Sequence, residues 1–380
     1  MASTPERPTG GAAIVAAVTD TTELLDQRIL ELERRLGGGD QPRPWPSGWR
    51  GPDEPASDPR IGVVAFRLGS SAPPRVEQTR EHEPDPALGP DAGHGTVPGQ
   101  APQPEPVLQP EPVLQPEPTL RPERLRQEGV YSRRASERFP AASTMKVYVL
   151  QALLEAVVAG DKDLGDTRRL LADDKVTGSG ILKLLSDGSR VTLLDLATLM
   201  ICVSDNSATN MLIDELDIAR IRESVEANGW TDTSLSGKLQ QAPVVGGTKR
   251  SPTMTSPRDL ANYFGRLWAG DLLPPELTEV AQRIYRRQQF GELGRSIGYD
   301  SYSAEIGVSD VVIASKSGSI RGVRNDAGVI ERVGQDGGGN VVIAVMTDGC
   351  ADLRFHAENL GARVVGEVSA AVLAHLEGPG

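Results

Sequence analysis

The sequence contains few of the residues that usually build cross-links, metal sites or histidine-based catalytic centres. It has 380 residues but only 2 cysteines and 4 histidines. Cys202 and Cys350 cannot form a disulfide framework, and neither lies in a metal-binding spacing, so we expect two reduced, buried thiols. The histidines are His82, His94, His356 and His375. None accompanies a plausible serine and aspartate, and no Gly-x-Ser-x-Gly turn is present, which argues against a Ser-His-Asp hydrolase.

The charge and the apolar runs exclude two further classes of partner. The formal net charge is −12, and no cluster of Lys and Arg offers a phosphate-binding surface, so nucleic acid is not expected as a partner. The apolar run at 12–18, AAIVAAV, is too short to span a bilayer. Glu6 and Arg7 cancel in front of it, which leaves no basic region of a secretory signal. We therefore expect a cytoplasmic protein without a membrane partner.

Proline and glycine are concentrated in the first third of the chain. A six-residue unit repeats over 103–120 as QPEPVL, QPEPVL and QPEPTL. Proline at every second or third position is incompatible with helices and sheet ladders and favours extended polyproline II. We expect residues 70–126 to be a disordered acidic spacer, with binding to a proline-recognising protein as the alternative. Residues 1–20 would be a flexible tail, and one compact domain would comprise 21–69 and 127–380.

Periodicity in the compact part predicts both helices and strands. Helical spacing of apolar residues predicts helices at 21–36, 143–159, 191–203, 207–215, 256–268, 275–287 and 356–376. Strand patterns occur at 61–69, 129–140, 310–317, 327–333 and 340–347. This order predicts an α+β fold in which five mostly antiparallel strands form one sheet. We expect the first and last helices on one face of the sheet and a helical lobe on the other.

A serine and a lysine stand one helical turn apart at the start of the second predicted helix. The stretch FPAASTMKV (139–147) places Ser143 and Lys146 on the same helix face. A serine beside a lysine amine is one form of activated nucleophile, provided that burial and neighbouring cations lower the pKa of the lysine. The same pair also occurs where a serine simply caps a helix, so the motif requires support from the rest of the chain.

Two further motifs follow in a diagnostic order. The chain reads Ser-Asp-Asn at 204–206, after an apolar helix, and Lys-Ser-Gly at 316–318, at the end of an apolar strand. The order S-x-x-K, S-D-N and K-[ST]-G is typical of penicillin-recognising serine enzymes. On these motifs, and on similar segments around them, the chain over 129–377 together with the first helix and strand resembles the class A β-lactamases. The resemblance implies that family's fold, a five-stranded antiparallel sheet flanked by helices plus a helical lobe.

The resemblance also implies catalytic roles for four residues. Ser143 would be the acylated nucleophile, and Lys146, as a neutral amine, would be its base. Ser204 would relay the proton to the leaving nitrogen. Asn206 would hold both Lys146 and the substrate amide.

Substrate binding would fall on the strand that carries the third motif and on the strand after it. By the same resemblance, the binding residues are Lys316, Ser317, Gly318, Ser319 and Arg324. Lys316 would supply positive charge near Ser204 and the substrate carboxylate, and Ser317 would donate its hydroxyl to that carboxylate. The backbone N–H groups of Ser143 and Ser319 would form the oxyanion hole. Arg324 lies close to where the family keeps a carboxylate-binding arginine, and Arg321 is the competing choice.

The chain departs from the class A pattern at the residue that activates water. The family carries Glu-x-x-Leu-Asn on its Ω-loop, and the glutamate positions the water that hydrolyses the acyl-enzyme. The corresponding stretch here, 228–247, has no acid at the aligned position, which is near Leu239, and Asp232 comes too early. Gln240 or Gln241 could orient a water but could not take its proton. We expect intact acylation and slow deacylation.

Four functions fit this pattern, and the sequence leaves them open. The first is a serine hydrolase that acts on a β-lactam, in antibiotic response, or on another amide or ester. The second is an acyltransferase or esterase in biosynthesis, in which the acyl-enzyme awaits another nucleophile. The third is a D-Ala-D-Ala peptidase, against which the missing signal argues. The fourth is a sensor that is acylated once, with the proline-rich segment as its partner-binding element. No cofactor or metal is expected for any of them.

Overall fold

The computed structural model describes residues 10–37, 58–68, 127–239, 252–333 and 339–377, with side chains of the first helix described from residue 21 onward. The predicted insertion over 70–126 lies outside the described residues. The first helix begins at Gly10, inside the segment assigned to the tail.

The secondary structure alternates between strands of one large sheet and helices on either side of it. The α-helices are α1 (Gly10–Leu36), α2 (Lys146–Val158), α3 (Leu193–Cys202), α4 (Asn206–Leu216), α5 (Ile218–Ala227), α6 (Pro257–Ala269), α7 (Pro275–Tyr285), α8 (Ser301–Glu305) and α9 (Leu360–Glu377). The strands are β1 (Arg60–Leu68), β2 (Gln127–Arg133), β3 (Phe139–Pro140), β4 (Thr167–Arg169), β5 (Arg190–Thr192), β6 (Met254–Thr255), β7 (Val311–Ile320), β8 (Val323–Arg332) and β9 (Val341–Asp348). Short 3-10 turns occupy Ala142–Met145, Ala172–Asp174 and Leu182–Leu184.

The central sheet has five strands in the order β2-β1-β9-β8-β7, and every neighbouring pair is antiparallel. This confirms the α+β fold and the five-stranded antiparallel sheet predicted from the sequence. β7, which carries the Lys-Ser-Gly motif, is an edge strand. It continues past the motif to Ile320, because a two-residue turn at 321–322 pairs Ile320 with Val323 and starts β8.

Each face of the sheet packs against its own helical layer. One apolar cluster joins α1 and α9 to side chains of the strands, with Ile29, Ile343 and Val365 among its buried members. The other cluster joins the opposite face to α2, α3, α4, α6 and α7, with Leu150 and Val329 among its members. Successive strand residues point to opposite faces, which is why both faces are apolar. The predicted position of the first and last helices on one face is confirmed.

Two of the described helices were not predicted. They are α5, which is largely polar, and α8, which has only 5 residues. α5 has apolar residues mainly at Ile218, Ile221 and Val225, and it starts only two residues after α4 ends. The break between them is Asp217, whose φ of +67° ends α4 and whose carboxylate accepts a hydrogen bond from the Ala219 N–H. A single residue therefore separates two helices, which a periodicity argument does not resolve.

Among the described residues, the helices are too short or too polar for any of them to traverse a bilayer.

Candidate active site

The predicted nucleophile lies at a sharply turned point between β3 and α2. Ser143 is half-buried in the 3-10 turn that precedes α2, so the motif begins in 3-10 rather than α-helical geometry. Ala142, just before it, has a φ of +47°, a conformation that costs energy for a residue with a side chain. The Thr144 hydroxyl donates to the Ala141 carbonyl at 2.7 Å and helps to hold the turn.

The Lys-Ser-Gly strand approaches this turn with its backbone. A side chain at Gly318 would place its Cβ 2.9 Å from the Ser143 nitrogen and 2.8 Å from the Thr144 nitrogen. Real Cβ atoms do not come so close, so the third residue of the motif has to be glycine. Ser319 follows Gly318 on the same strand and is exposed. Because the backbone at Gly318 lies against the Ser143 turn, the predicted oxyanion-hole residues Ser143 and Ser319 lie on two segments that contact each other.

Lys146 joins the first motif to the second. Its side chain is fully buried, and its Nζ donates to the Ser204 carbonyl at 2.7 Å, to the Ser204 Oγ at 3.0 Å and to the Asn206 Oδ1 at 3.0 Å. A hydroxyl can accept from an ammonium or donate to a neutral amine, so this set of partners accommodates both protonation states of the lysine. The structure thus brings Lys146, Ser204 and Asn206 into one cluster. Ser143 lies in the turn just before Lys146, whose backbone N–H donates to the Ser143 carbonyl.

The environment of Lys146 disfavours its charged form. Burial holds the pKa of Lys146 well below its usual value, and the positive charge of Lys316 lowers it further. The negative charge of Asp205 acts in the opposite direction. A lysine with a depressed pKa is a competent proton acceptor near neutral pH, as the sequence analysis required of it.

The Ser-Asp-Asn motif is a strained loop that caps α4. Ser204 has a φ of +53°, which turns its side chain and carbonyl toward Lys146. The Asp205 carboxylate accepts from the Ala208 N–H at 3.0 Å as the N-cap of α4. Its second oxygen accepts from the Leu182 N–H at 2.7 Å, so Asp205 orients the loop while Ser204 and Asn206 face the lysine.

A loop that the sequence analysis did not single out supports this motif. The Asn206 Nδ2 donates to the Thr177 carbonyl at 3.1 Å, and the Asn206 N–H donates to the Ser179 carbonyl at 3.1 Å. Gly180 has a φ of +107°, and a Cβ there would come within 2.5 Å of the Asp205 Cα. The signal available in the sequence was the Gly-Ser-Gly at 178–180, where closely spaced glycines indicate a special backbone conformation.

Lys316 completes the cluster of cations. It is fully buried, and its Nζ donates to the Ser317 carbonyl at 2.7 Å. Burial lowers its pKa to about 8, against the opposing effect of the Asp326 carboxylate. The alternation along β7 places Lys316 on the same face of the sheet as Ala314, which packs in the helical-lobe cluster.

The two candidate arginines have different environments. Arg321 lies exposed in the two-residue turn between β7 and β8. Arg324 is buried, and its guanidinium donates to the carbonyls of Ile320, Val323 and Arg354 at 2.6–2.7 Å. These bonds engage both terminal nitrogens of Arg324 with main-chain oxygens, so its assignment to a substrate carboxylate stays a prediction.

The segment around Leu239, which we predicted to align with the family's water-activating glutamate, is held by an asparagine of α4. The Asn210 Nδ2 donates to the Leu239 carbonyl at 2.9 Å, and its Oδ1 accepts from the Leu239 N–H at 2.8 Å. Asp232 is occupied elsewhere, because its carboxylate accepts from Ser256 and Arg258. Leu239 packs against the helical-lobe core, and Gln240 and Gln241 lie outside the described residues.

The two cysteines are free and buried, as expected. Cys202 lies at the end of α3, where burial raises the pKa of its thiol to about 11, so it is inert rather than nucleophilic. Within the described ranges, no group of three or more His, Cys, Asp or Glu side chains is arranged to hold a metal ion.

A comparison of the chain with known proteins agrees with this fold. The sequence model of the β-lactamase enzyme family matches residues 120–376, which is more than half of the chain. The chain therefore belongs to the β-lactamase enzyme family, and it is related to the class A β-lactamases and penicillin-binding proteins.

Individual relatives are distant. β-Lactamase SME-1 of Serratia marcescens is 26% identical over 204 residues, which cover 52% of this chain and 65% of that protein, slightly less than two thirds of its length. Among solved structures, a β-lactamase from Sphaerobacter thermophilus is 31% identical, with a TM-score of 0.56 over 64% of this chain and 85% of that chain. A variant of PBP-A in an acyl-enzyme complex with penicillin G has a TM-score of 0.59 and 22% identity over 97% of each chain, a likeness of fold.

Proposed function

We propose that the protein is an active-site-serine hydrolase that forms an acyl-enzyme on Ser143 with a β-lactam or another amide or ester. The observation that carries this proposal is the buried Lys146, whose amine contacts both Ser204 and Asn206 while its pKa is held well below the usual value. A structural lysine would gain nothing from a neutral state, whereas a general base requires one at neutral pH.

In the proposed acylation, neutral Lys146 takes the hydroxyl proton of Ser143 as the serine oxygen attacks the substrate carbonyl. The carbonyl oxygen becomes an oxyanion and accepts hydrogen bonds from the backbone N–H groups of Ser143 and Ser319. When the tetrahedral intermediate collapses, the C–N bond breaks, and the leaving nitrogen receives a proton from the Ser204 hydroxyl. Lys146 then returns its proton to Ser204, which it already contacts at 3.0 Å.

Lys316 and Ser317 would bind a carboxylate of the substrate. Lys316 is a buried cation within electrostatic reach of Lys146, so its charge helps to keep Lys146 neutral before acylation. A bound carboxylate would offset the repulsion that arises once Lys146 has taken the proton. Gly318 contributes to the site by its lack of a side chain, which lets the strand lie against the Ser143 turn. Arg324, or alternatively Arg321, would add positive charge to the same carboxylate.

Release of the acyl group would be slow. The class A pattern has its water-activating glutamate near Leu239, whose backbone is held by Asn210 and whose side chain is apolar. A positioned general base typically contributes about 10²–10⁴ in rate, and its absence would lengthen the life of the acyl-enzyme by a similar factor.

The same observation favours a second candidate function. An acyl-enzyme that is protected from water can transfer its acyl group to another nucleophile, or can persist as a signal. An acyltransferase would be accelerated by added amines or alcohols, whereas a sensor would retain its acyl group in their presence.

The test is the intact mass of the purified protein after mixing with benzylpenicillin, followed over time beside a Ser143→Ala control. We expect an adduct of one penicillin that requires Ser143 and persists for hours. An adduct that decays within seconds would show that another group activates water. Absence of any adduct, on β-lactams and then on a panel of activated esters, would refute the proposed acyl-enzyme.

A further inference from the structure

A buried asparagine that the proposed mechanism does not use joins the central sheet to the turn of the proposed nucleophile. Asn325, in β8, is fully buried and is the cross-strand partner of Gly318. Its Nδ2 donates to the Pro140 carbonyl at 2.9 Å and, over a longer distance of 3.3 Å, to the Ala141 carbonyl. Asn325 therefore binds the chain directly before the 3-10 turn that carries Ser143.

The opposite end of the same amide is held by the sheet. The Asn325 Oδ1 accepts from the Thr347 N–H in β9 at 3.0 Å. Carbonyl oxygens only accept and a backbone N–H only donates, so these partners together fix which end of the amide faces the turn. Backbone pairing of β8 with β9 reaches Asn325 and Met346. Beyond that pair, the Thr347 hydroxyl bonds to both the N–H and the carbonyl of Arg324, so the asparagine is anchored where the ladder ends.

The space for this contact is provided by the glycine of the Lys-Ser-Gly motif. Ala314 and Ala327 pack in the helical-lobe cluster. By alternation, Gly318 and Asn325 lie on the same face of the sheet as these two alanines. A Cβ at Gly318 would come within 2.9 Å of the Ala141 carbonyl oxygen, the oxygen that Asn325 also approaches. The missing side chain on one strand thus admits the turn, and the asparagine on the next strand binds it.

The turn that Asn325 binds includes a strained residue. Ala142 has a φ of +47°, a conformation that persists only where the surrounding structure holds it. The N–H and the hydroxyl of Thr144 both donate to the Ala141 carbonyl, but these bonds lie within the turn and move with it. The Ala141 N–H donates to the Thr253 carbonyl at 2.9 Å, next to β6. The bonds from Asn325 instead tie the turn to the central sheet.

Attachment to the sheet affects both groups of Ser143 that the proposed mechanism uses. The Ser143 Oγ has to face Lys146, and the Ser143 N–H has to face the oxyanion together with the N–H of Ser319. Ser319 lies on β7, which pairs with β8. A turn held from β8 keeps the two N–H donors at a fixed separation. An error of about 1 Å in such a position can cost about 10²-fold in rate.

We propose that Asn325 is a positioning residue: its amide fixes the strained turn against the central sheet and so holds Ser143 toward Lys146 and beside the second oxyanion donor. It does not touch the substrate. It acts on the acylation step through Ser143, and it leaves the binding of a substrate carboxylate at Lys316 and Ser317 unchanged. The inference rests on the proposed function insofar as Ser143 is taken as the nucleophile.

The first test compares Asn325→Ala with the matched control Asn228→Ala. Asn228 also donates its Nδ2 to two acceptors, the Ser224 carbonyl at 3.0 Å and the Glu155 carboxylate at 2.8 Å, but these bonds join α5 to α2. The concentration of benzylpenicillin is varied, which separates the first-order rate constant of acylation from the Kd of the preceding complex. We expect Asn325→Ala to lower the rate constant by about 10²-fold at an unchanged Kd, and Asn228→Ala to change neither.

The separation of the two constants distinguishes positioning from a general loss of structure. An unchanged rate constant in folded Asn325→Ala would overturn the proposal. An equal loss in Asn228→Ala, or a loss that is confined to Kd, would overturn it as well.

Hydrogen exchange followed by mass spectrometry tests the same contact without acylation. We expect faster exchange over 139–147 in Asn325→Ala than in the wild type or Asn228→Ala, because the turn loses its bonds to the sheet. Unchanged exchange in this segment would overturn the proposal. If the wild type is not acylated at all, the proposed function fails, and the exchange alone decides whether Asn325 holds the turn.

A measurement on the wild-type protein covers the case in which Asn325→Ala does not fold. The Asn325 side-chain amide is followed by NMR in protein labelled with ¹⁵N and ¹³C, after transfer to D₂O. Its protons are bonded to buried carbonyls, so we expect slow exchange and nuclear Overhauser effects to Ala141. Exchange as fast as that of an exposed asparagine would overturn the proposal.

Discussion

A glutamate placed at position 239 should convert a slow acyl-enzyme into a rapidly hydrolysed one. Asn206 and Asn210 are one turn apart on α4, so their side chains lie on the same helix face. Asn206 contacts the Lys146 amine at 3.0 Å, and Asn210 holds Leu239 by both its N–H and its carbonyl. Residue 239 is therefore displaced from the lysine contact by about one helical turn, roughly 5.4 Å, which a glutamate side chain can span.

The size of the effect follows from two separate changes. The hydrogen bonds between Asn210 and Leu239 use only the backbone of residue 239, so Leu239→Glu keeps them. A correctly placed general base should accelerate deacylation by about 10²–10⁴. Leu239 is only partly buried against the core, so its replacement should lower the free energy of unfolding by about 1 kcal/mol, roughly half of what a fully buried leucine contributes.

The assay is the decay of the penicilloyl adduct by intact mass in Leu239→Glu, Leu239→Gln and wild type. Glutamine has nearly the same shape and can orient a water, but it cannot accept the proton. We expect fast decay in the glutamate variant alone. If the glutamate and glutamine variants release the adduct at the same rate, residue 239 is not within reach of the acyl carbon, and the reasoning from α4 is wrong.

Three further outcomes are expected from the site and its surroundings. Lys146→Ala should lower the acylation rate by about 10²–10⁴ with unchanged near-UV circular dichroism, and undiminished labelling would refute its role as base. Gly180→Ala should lower the free energy of unfolding in urea by about 1–3 kcal/mol, because of its φ of +107° and the proximity of Asp205; a wild-type value would contradict this. The Arg168 and Lys162 partners of Glu215 lower its pKa to about 2, so the unfolded chain binds the proton more tightly; Glu215→Gln should be less stable than wild type at pH 7, and the difference should vanish as the pH falls from about 5 to 2.

The elements that were predicted well are those with a strong signal in their own sequence, such as an apolar period or a helix cap. β9, at Val341–Asp348, was predicted at 340–347, and α6, at Pro257–Ala269, was predicted at 256–268. Both have a strong apolar period, and α6 also has a serine N-cap followed by proline. The Ser143, Ser204 and Lys316 motifs were visible for the same reason, since each is a short run of neighbouring residues.

What the sequence did not reveal depends on contacts between distant segments. The support of Asn206 by the loop at 177–180 requires knowledge of which turn meets α4. The pairing of Asp326 with Ser317 depends on the register of β7 and β8. The environment of Arg324 depends on Arg354, thirty residues later, which offers it a carbonyl oxygen. Periodicity carries no information on such pairings, because register and loop docking arise only when the layers pack.

The register of β1 bears on the predicted insertion between β1 and β2. The flanking residues of that stretch, Leu68 and Gln127, are direct cross-strand partners. A row of paired residues runs across the sheet from the active-site strand, through Gly318, Asn325, Met346 and Gly62. Leu68 is six positions beyond the end of this row, which is about 20 Å along the strand. We therefore expect the connection between β1 and β2 to tolerate changes of length and sequence, in evolution or by engineering, because the turn that carries the proposed nucleophile Ser143 contacts the sheet at Gly318, near the opposite end of these strands.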